Sequence, residues 1–402
     1  MIDTAVIFCG GYGTRLGSLT KKIPKPMVLV DNKPFLEHLI NQLKENGIKK
    51  LYLLVGYKKE KIIEYFGNGK KFSIKIIYSY NHPNYQTAYR LNCIKKKIKK
   101  DFLLMYSDNY CPFNIKKNFE IFKKKKSLVT FSICEKKSGN ISIDSNQNTI
   151  YRLKRSKTNN FVEIGYMIVK KEFLSFLDNR NINLNILLNK LSRDGKISGI
   201  KTHNKYLSIS DKQRLSLTRK FFRNKKFILI DRDGVINLIK NNDRYVKNLQ
   251  GLHFNKKIIS QLEKFKDFTY LCITNQAGIA TGEVLKKDLK KINQEIKIFL
   301  KKKKINLKEF FISEHHYNSN NFYRKPNPGN FLKASEKYSF LLDKTFYIGD
   351  DVRDVEAAYN ANTKCLFVGE LNKKNKTILK KFNNLINIPI YKALKKKHEL
   401  QN

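Results

Sequence analysis

Two carboxylates two positions apart, Asp231 and Asp233, close the apolar run Phe227-Ile228-Leu229-Ile230, and Gly234 follows them. Four consecutive apolar residues read as a buried parallel strand, whose C-terminal end is where an α/β sheet takes its ligands. Acids this close repel each other unless a cation or a shared proton holds them. The chemistry they fit is a Mg²⁺ site in which one Asp attacks phosphorus and the other moves a proton. A plain turn is the competing reading, since Asp bonds its own backbone and Gly accepts positive φ.

The residues downstream favour chemistry. An apolar run over 269–273 ends in Thr274-Asn275-Gln276-Ala277-Gly278, which offers a hydroxyl, amides and free loop N–H groups to phosphate oxygens. Arg324-Lys325-Pro326-Asn327-Pro328-Gly329 fixes a lysine among turn formers, where it can offset the charge of a transferring phosphoryl group. The run 345–348 leads into Gly349-Asp350-Asp351-Val352-Arg353-Asp354 and returns acid to a strand end.

Four such motifs in this order resemble the haloacid dehalogenase superfamily of phosphatases. Within it, DRDGVIN, TNQAGIATG, RKPNPG and GDDVRD are similar to the group of heptose bisphosphate and histidinol phosphatases, over residues 226–369. The resemblance implies that Asp231 is a nucleophile forming an aspartyl-phosphate and that Asp233 is the general acid/base. It implies Mg²⁺ on the Asp231 carboxylate, the Asp233 backbone carbonyl and Asp350. Thr274 and Lys325 would hold the phosphoryl oxygens, and Asn275 and Arg324 would touch substrate. Asp354 is either a further acid of the site or a helix N-terminal acid on free amides. That group often carries a Cys/His zinc loop before the RKP motif. Here His315 and His316 remain without any cysteine, so no zinc is expected and the two read as loop polar residues.

The N-terminal half carries a second constellation. The run 4–9 feeds Gly10-Gly11-Tyr12-Gly13-Thr14-Arg15, whose glycines let backbone amides wrap a phosphate chain while Arg15 offers a fork for its oxygens. Lys25 is pre-organised between Pro24 and Pro26. GGxGTRL followed by PKxM is similar to the signature of the sugar-phosphate nucleotidyltransferases, and the resemblance continues through Pro34-Phe35-Leu36-Glu37. It implies a nucleoside triphosphate over Gly10, Gly11, Gly13, Thr14 and Arg15, with Lys25 neutralising its phosphates while a sugar 1-phosphate attacks the α-phosphorus. Asp108, after the run 102–106, falls where the family carries a Mg²⁺-binding Asp, and Glu163-Ile164-Gly165-Tyr166 resembles its later sugar-site turn. The sequence departs from the family at Tyr80, at Gln86-Thr87-Ala88, and at Ser208, which stands in place of the second metal carboxylate. An active transferase and a noncatalytic sugar-binding module both remain open.

The elements that must position these residues follow from length and pattern. A chain of 402 residues exceeds a single core, and 41% hydrophobic content supports two. Alternating strands and helices predict an α/β class with two doubly wound α/β domains, one nucleotidyltransferase-like and Rossmann-like and one of the haloacid dehalogenase type. The domains are expected at 1–218 and 225–372, with a tail at 373–402 and a basic helix over 215–226 between them. The six cysteines lack CxxC spacing and read mostly as small buried apolar residues. No long apolar run or signal pattern exists, so no membrane contact and a cytoplasmic location are expected. The net charge of +47 comes from lysine spread along the chain without a nucleic-acid motif, so no specific nucleic-acid partner is expected.

The expected partners are small-molecule sugar phosphates and a nucleoside triphosphate, and the oligomeric state is left open. By family analogy, the expected function is hydrolysis of D-glycero-D-manno-heptose 1,7-bisphosphate, followed by activation of the 1-phosphate to a nucleotide-linked heptose for surface polysaccharide. Histidinol-phosphate hydrolysis is the alternative.

Overall fold

The structure, a computed structural model, describes residues 2–144, 148–239, 243–370, 385–386 and 390–399. The chain divides into two compact units, Met1–Arg219 and Lys220–Asn402, and the division falls inside the helix Lys212–Arg223. That helix starts before the expected residue 215 because the Asp211 carboxylate accepts the Arg214 amide at 2.9 Å and caps its first turn.

In the first unit, parallel strands run in the order Phe102–Tyr106, Thr4–Cys9, Lys50–Val55 and Lys75–Tyr80. Helices such as Phe35–Glu45 cross between them, burying Phe35, Leu36, Leu39, Ile40 and Leu43 along one stripe. The sheet is parallel-dominated, in keeping with the expected α/β class, and carries antiparallel strands on one side. Phe161–Val169 pairs antiparallel with Phe102–Tyr106 and with Val129–Glu135, and Gly139–Ile143, Thr149–Ser156 and Ile197–Lys201, the last parallel to Val129–Glu135, carry the sheet to nine strands. Gly139–Ile143 and Thr149–Ser156 succeed one another through a loop too short for a helical crossover, so antiparallel pairing is the geometry within their reach.

The second unit is a six-stranded parallel sheet, ordered Asn306–Ser313, Thr269–Asn275, Phe227–Ile230, Phe346–Gly349, Lys364–Phe367 and Leu385–Ile386. Alternation along the strands fills both faces. Ile228, Ile230, Tyr270, Cys272 and Ile348 join one core, and Leu229, Leu271, Ile273 and Tyr347 join the other. Each fully buried Ile or Leu contributes about 1.5–3 kcal/mol, which makes the central strand a rigid base for the acidic loop at its C-terminal end. Of residues 373–402, 385–386 form the edge strand and 390–399 a helix that buries Ala393 and Leu394, while the others lie outside the described residues.

Cys9, Cys111, Cys272 and Cys365 are buried, Cys134 is half-buried and Cys93 is exposed, all as free thiols. Among the described residues no helix is long and apolar enough to cross a membrane.

Candidate active site

The register of the second unit gathers its motifs at one sheet edge. Ile230 lies opposite both Cys272 and Ile348, and the Asp231 amide donates to the Ile348 carbonyl at 2.9 Å. Asp231 therefore leaves its strand between Thr274 and Asp350. The Lys325 ammonium reaches in and pairs with Asp231 Oδ2 at 2.8 Å and Asp354 Oδ1 at 2.7 Å, and it donates to the Tyr347 hydroxyl at 2.8 Å. Lys325 is only 5% exposed, and these partners fix where its ammonium stands. Asp231, Asp233, Thr274, Asn275, Arg324, Lys325, Asp350 and Asp354 all line one cavity of about 450 Å³.

The Asp233 carboxylate is held by residues that sequence reasoning passed over. Arg232, fully buried, grips it through Nε and Nη2, Asn237 Nδ2 donates at 3.0 Å, and Gln276 Nε2 donates at 2.7 Å. Gln276 also donates to Thr274 Oγ1 at 2.9 Å, so one amide links the acid to the hydroxyl. A polar residue two positions after Thr274 is the signal that could have pointed to it. Asn275, expected to touch substrate, gives both ends of its amide to the Lys325 backbone: Nδ2 donates to the carbonyl and Oδ1 accepts the N–H, each at 3.0 Å. Asn275 thus sets where Lys325 stands. Arg324 is buried, and its Nη1 donates to the His315 carbonyl at 3.3 Å. The His315 side chain is exposed, and His316 Nδ1 accepts the Asn318 amide.

Asp354 resolves into both of its sequence readings. It forms a capping box with Asp351 at the start of helix Val352–Asn360, where Oδ2 accepts the Asp350 and Asp351 amides, each at 3.1 Å. Its other oxygen faces Lys325 and Tyr347. With its lone pairs so occupied, Asp354 is part of the frame of the acidic cluster.

Carboxylate oxygens of Asp231, Asp350 and Asp354 lie within 4.8 Å of one another. One lysine cannot balance three acids. Burial first, then the Asp354 charge, pushes Asp350 up to about 7. Burial also raises Asp231, against the pull of Lys325 and with Asp354 and Asp350 adding to the rise. Gly234 stands at φ 82°, and a Cβ there would lie 1.9 Å from Asp350 Oδ2, so the backbone wraps this carboxylate closely. Hard oxygen donors in unrelieved repulsion fit a small divalent cation.

In the first unit, Gly10 follows strand Thr4–Cys9 directly and Gly13 takes φ 68°, with Thr14 opening the 3₁₀ turn Thr14–Thr20. A Cβ on Gly13 would press on Lys25 Cβ at 2.8 Å, so the two motifs meet in space. No atom lies within 4 Å of a Cβ built on Gly11, and Arg15 is exposed within electrostatic reach of Asp211. Lys25 and Asp108 form an ion pair with each other. Ser208 lies opposite Asn109 in a two-residue ladder, beside Asp108, with its hydroxyl accepting the Ser210 amide.

Among the described residues Glu163 Oε1 has no hydrogen-bond partner, and burial pushes its carboxyl up to about 7, with the Asp108 charge adding to the rise. Its folded pKa lies above the unfolded value of 4.5, so its stabilisation is complete below that pH and is lost as pH climbs through about 7. Glu163→Gln is therefore expected to be more stable than the parent by about 1–3 kcal/mol at pH 8, with the gap closing toward pH 5. Urea unfolding at the two pH values checks this, and a gap independent of pH contradicts it.

Residues 4–182 match the family described as nucleotidyl transferase, and residues 290–368 match the haloacid dehalogenase-like hydrolases. The chain is 34% identical over 142 residues to D-glycero-beta-D-manno-heptose-1,7-bisphosphate 7-phosphatase of Helicobacter pylori, covering 35% of this chain and 80% of that one. It is 40% identical over 113 residues to D-glycero-alpha-D-manno-heptose 1-phosphate guanylyltransferase of Campylobacter jejuni, covering 28% of this chain and 51% of that one. It is 32% identical over 207 residues to the bifunctional protein GlmU of Methanococcus maripaludis, covering 49% of this chain and 48% of that one. The chain thus spans about half the length of the last two of these relatives.

Proposed function

Because the chain belongs to the haloacid dehalogenase-like hydrolases, joined to a nucleotidyl transferase domain, we propose that it removes one phosphate from a sugar bisphosphate and couples the remaining sugar 1-phosphate to a nucleotide. The observation that carries the first half is Lys325 set between Asp231 and Asp354, beside Asp350 and on the wall of the same cavity as Thr274. An Asp231 oxygen attacks phosphorus to form an acyl phosphate, while the P–O bond to the sugar breaks and Asp233 gives the leaving alkoxide its proton. Asp233 then takes a proton from water as that water attacks phosphorus, freeing orthophosphate and restoring the Asp231 carboxylate. Lys325 and Thr274 hold the phosphoryl oxygens throughout. Bound Mg²⁺, on the Asp231 and Asp350 carboxylates and the Asp233 backbone carbonyl, would supply further charge neutralisation.

A bisphosphate is favoured by the rest of the cavity. Arg244, Arg324 and Arg353 line it as well, and Arg324 is buried with a carbonyl as its partner and, among the described residues, no carboxylate. A second anionic group on the substrate would satisfy that cation. The heptose reading is supported by the two relatives whose names place them on one sugar series. Loss of the 7-phosphate leaves C1 untouched, so one anomer must serve both reactions here, whereas the relatives' names differ, beta for the phosphatase and alpha for the guanylyltransferase.

For the first unit, Lys25 and Asp108 supply a cation for the phosphates and a carboxylate for a metal once their mutual pair opens. A sugar-binding module without turnover is the second reading there, and Ser208 beside Asp108 favours it.

The test is to incubate the full chain with Mg²⁺ and each anomer of heptose 1,7-bisphosphate, then with each of the four nucleoside triphosphates. One equivalent of orthophosphate is expected at once, and pyrophosphate only after the matching nucleotide is added. Lys25→Met should cut pyrophosphate release by about 100-fold or more and leave orthophosphate release unchanged. Faster turnover of histidinol phosphate would sink the sugar reading. Pyrophosphate release with none of the nucleotides would establish the module reading.

A further inference from the structure

Arg90 lies on the short helix Thr87–Asn92, 3% exposed, and among the described residues every bond it makes goes to backbone carbonyls. Nε donates to Tyr85 at 2.7 Å and Nη1 to Val55 at 3.3 Å, while Nη2 is shared among Gly10 at 3.3 Å, His82 at 2.9 Å and Pro83 at 3.1 Å. One guanidinium thus ties together the Gly-rich loop, the end of strand Lys50–Val55 and the loop at 82–85. The titratable side chains that face it are Cys9, Cys93 and Tyr12, none of them a carboxylate. A buried cation with no counter-charge is costly, and carbonyl dipoles offset only part of that cost.

The contact with the loop is close. A Cβ on Gly10 would fall 1.8 Å from Nη1, and one on Gly56 would fall 3.0 Å from the same atom, so two glycines admit the group. The next residue, Gly11, faces open space, with no atom within 4 Å of a Cβ built there. A positive charge therefore stands behind a thin glycine wall whose other side is open.

We propose that Arg90 is a positioning residue for nucleotide binding, fixing the Gly10 loop and drawing a polyphosphate to its open face. This rests on the reading of that loop as a nucleotide site. A purely structural brace would serve all ligands of the loop equally, whereas a charge behind the wall favours them in order of their phosphate charge.

Calorimetry with the triphosphate, monophosphate and free nucleoside of guanine and of uracil, at physiological salt, separates the two. The parent chain is measured first, and no binding of any nucleotide by it removes the underlying reading and the proposal together. If the parent binds, Arg90→Met is expected to weaken the triphosphate about tenfold or more and the monophosphate about threefold, and to leave the nucleoside unchanged. Lys124→Met, an exposed helix-end change of the same charge, should change none of these. Should Arg90→Met not fold, Arg90→Lys decides, because it keeps the charge and should keep the triphosphate preference. Equal weakening of all three ligands, no weakening, a matching loss in Lys124→Met, or a folded Arg90→Lys without triphosphate preference would each overturn the proposal.

Discussion

Asp231→Asn is expected to abolish orthophosphate release, by about 10⁴-fold or more, with the fold intact. The amide oxygen is a poor nucleophile toward phosphorus, and no other described acid is placed to replace it. Asp350 is wrapped by Gly234, and Asp354 is fully engaged by two amides, Lys325 and Tyr347. Stability should move by no more than about 1 kcal/mol, since the loss of the Lys325 pair is offset by relief of repulsion within the acidic cluster. Asp231→Glu sharpens the point. It keeps the charge but displaces the oxygen, and a misplaced nucleophile should still cost about 100-fold or more. Phosphate release with unfolding curves for both variants checks this, and near-parental turnover in either would remove Asp231 from the reaction.

Lys325→Met is expected to cost both activity and stability. The activity loss should reach about 100-fold to 1000-fold, because the phosphoryl oxygens lose a fixed cation. Two buried acids, Asp231 and Asp354, would then face each other unpaired, a change worth about 3–5 kcal/mol of stability near neutral pH. The sign with pH comes from the direction of the Asp231 shift. Its folded pKa already lies above the ordinary carboxylate value and rises further without the lysine, so the deficit of the variant grows as pH rises and shrinks toward pH 4–5. Adding Mg²⁺ should restore part of the stability at neutral pH and little of the turnover. A variant as stable as the parent at pH 8 without metal would contradict this account of the cluster.

How much of the fold and site is legible in the sequence depends on the scale of the feature. Strands Thr4–Cys9, Lys50–Val55, Phe102–Tyr106 and Phe227–Ile230 show as apolar runs, and the residues after them fall at strand ends because a parallel sheet leaves no other place for them. The roles of Asn275, Arg232 and Gln276 are not legible in the same way. Whether an amide turns to a ligand or to a neighbouring peptide depends on which loop packs against it, and Lys325 lies 50 residues from Asn275 in sequence. Arg90 is hidden for the same reason. Its carbonyl partners come from three segments that meet only once the sheet is built. The antiparallel pairing of Gly139–Ile143 with Thr149–Ser156 is set by the length of the loop between them, which apolar patterning does not report.

The most direct test of the central claim is whether Asp231 carries phosphorus during turnover. Asp233→Asn should form the acyl phosphate from an aryl phosphate, whose leaving group needs no proton, and then hydrolyse it slowly for want of a base. Acid-quenched full-length protein, digested and read by mass spectrometry, is expected to show an adduct of about 80 Da on the peptide containing residue 231, lost on treatment with hydroxylamine. Turnover by the parent chain with no adduct at that peptide in the variant, or an adduct on any other residue, would contradict the account.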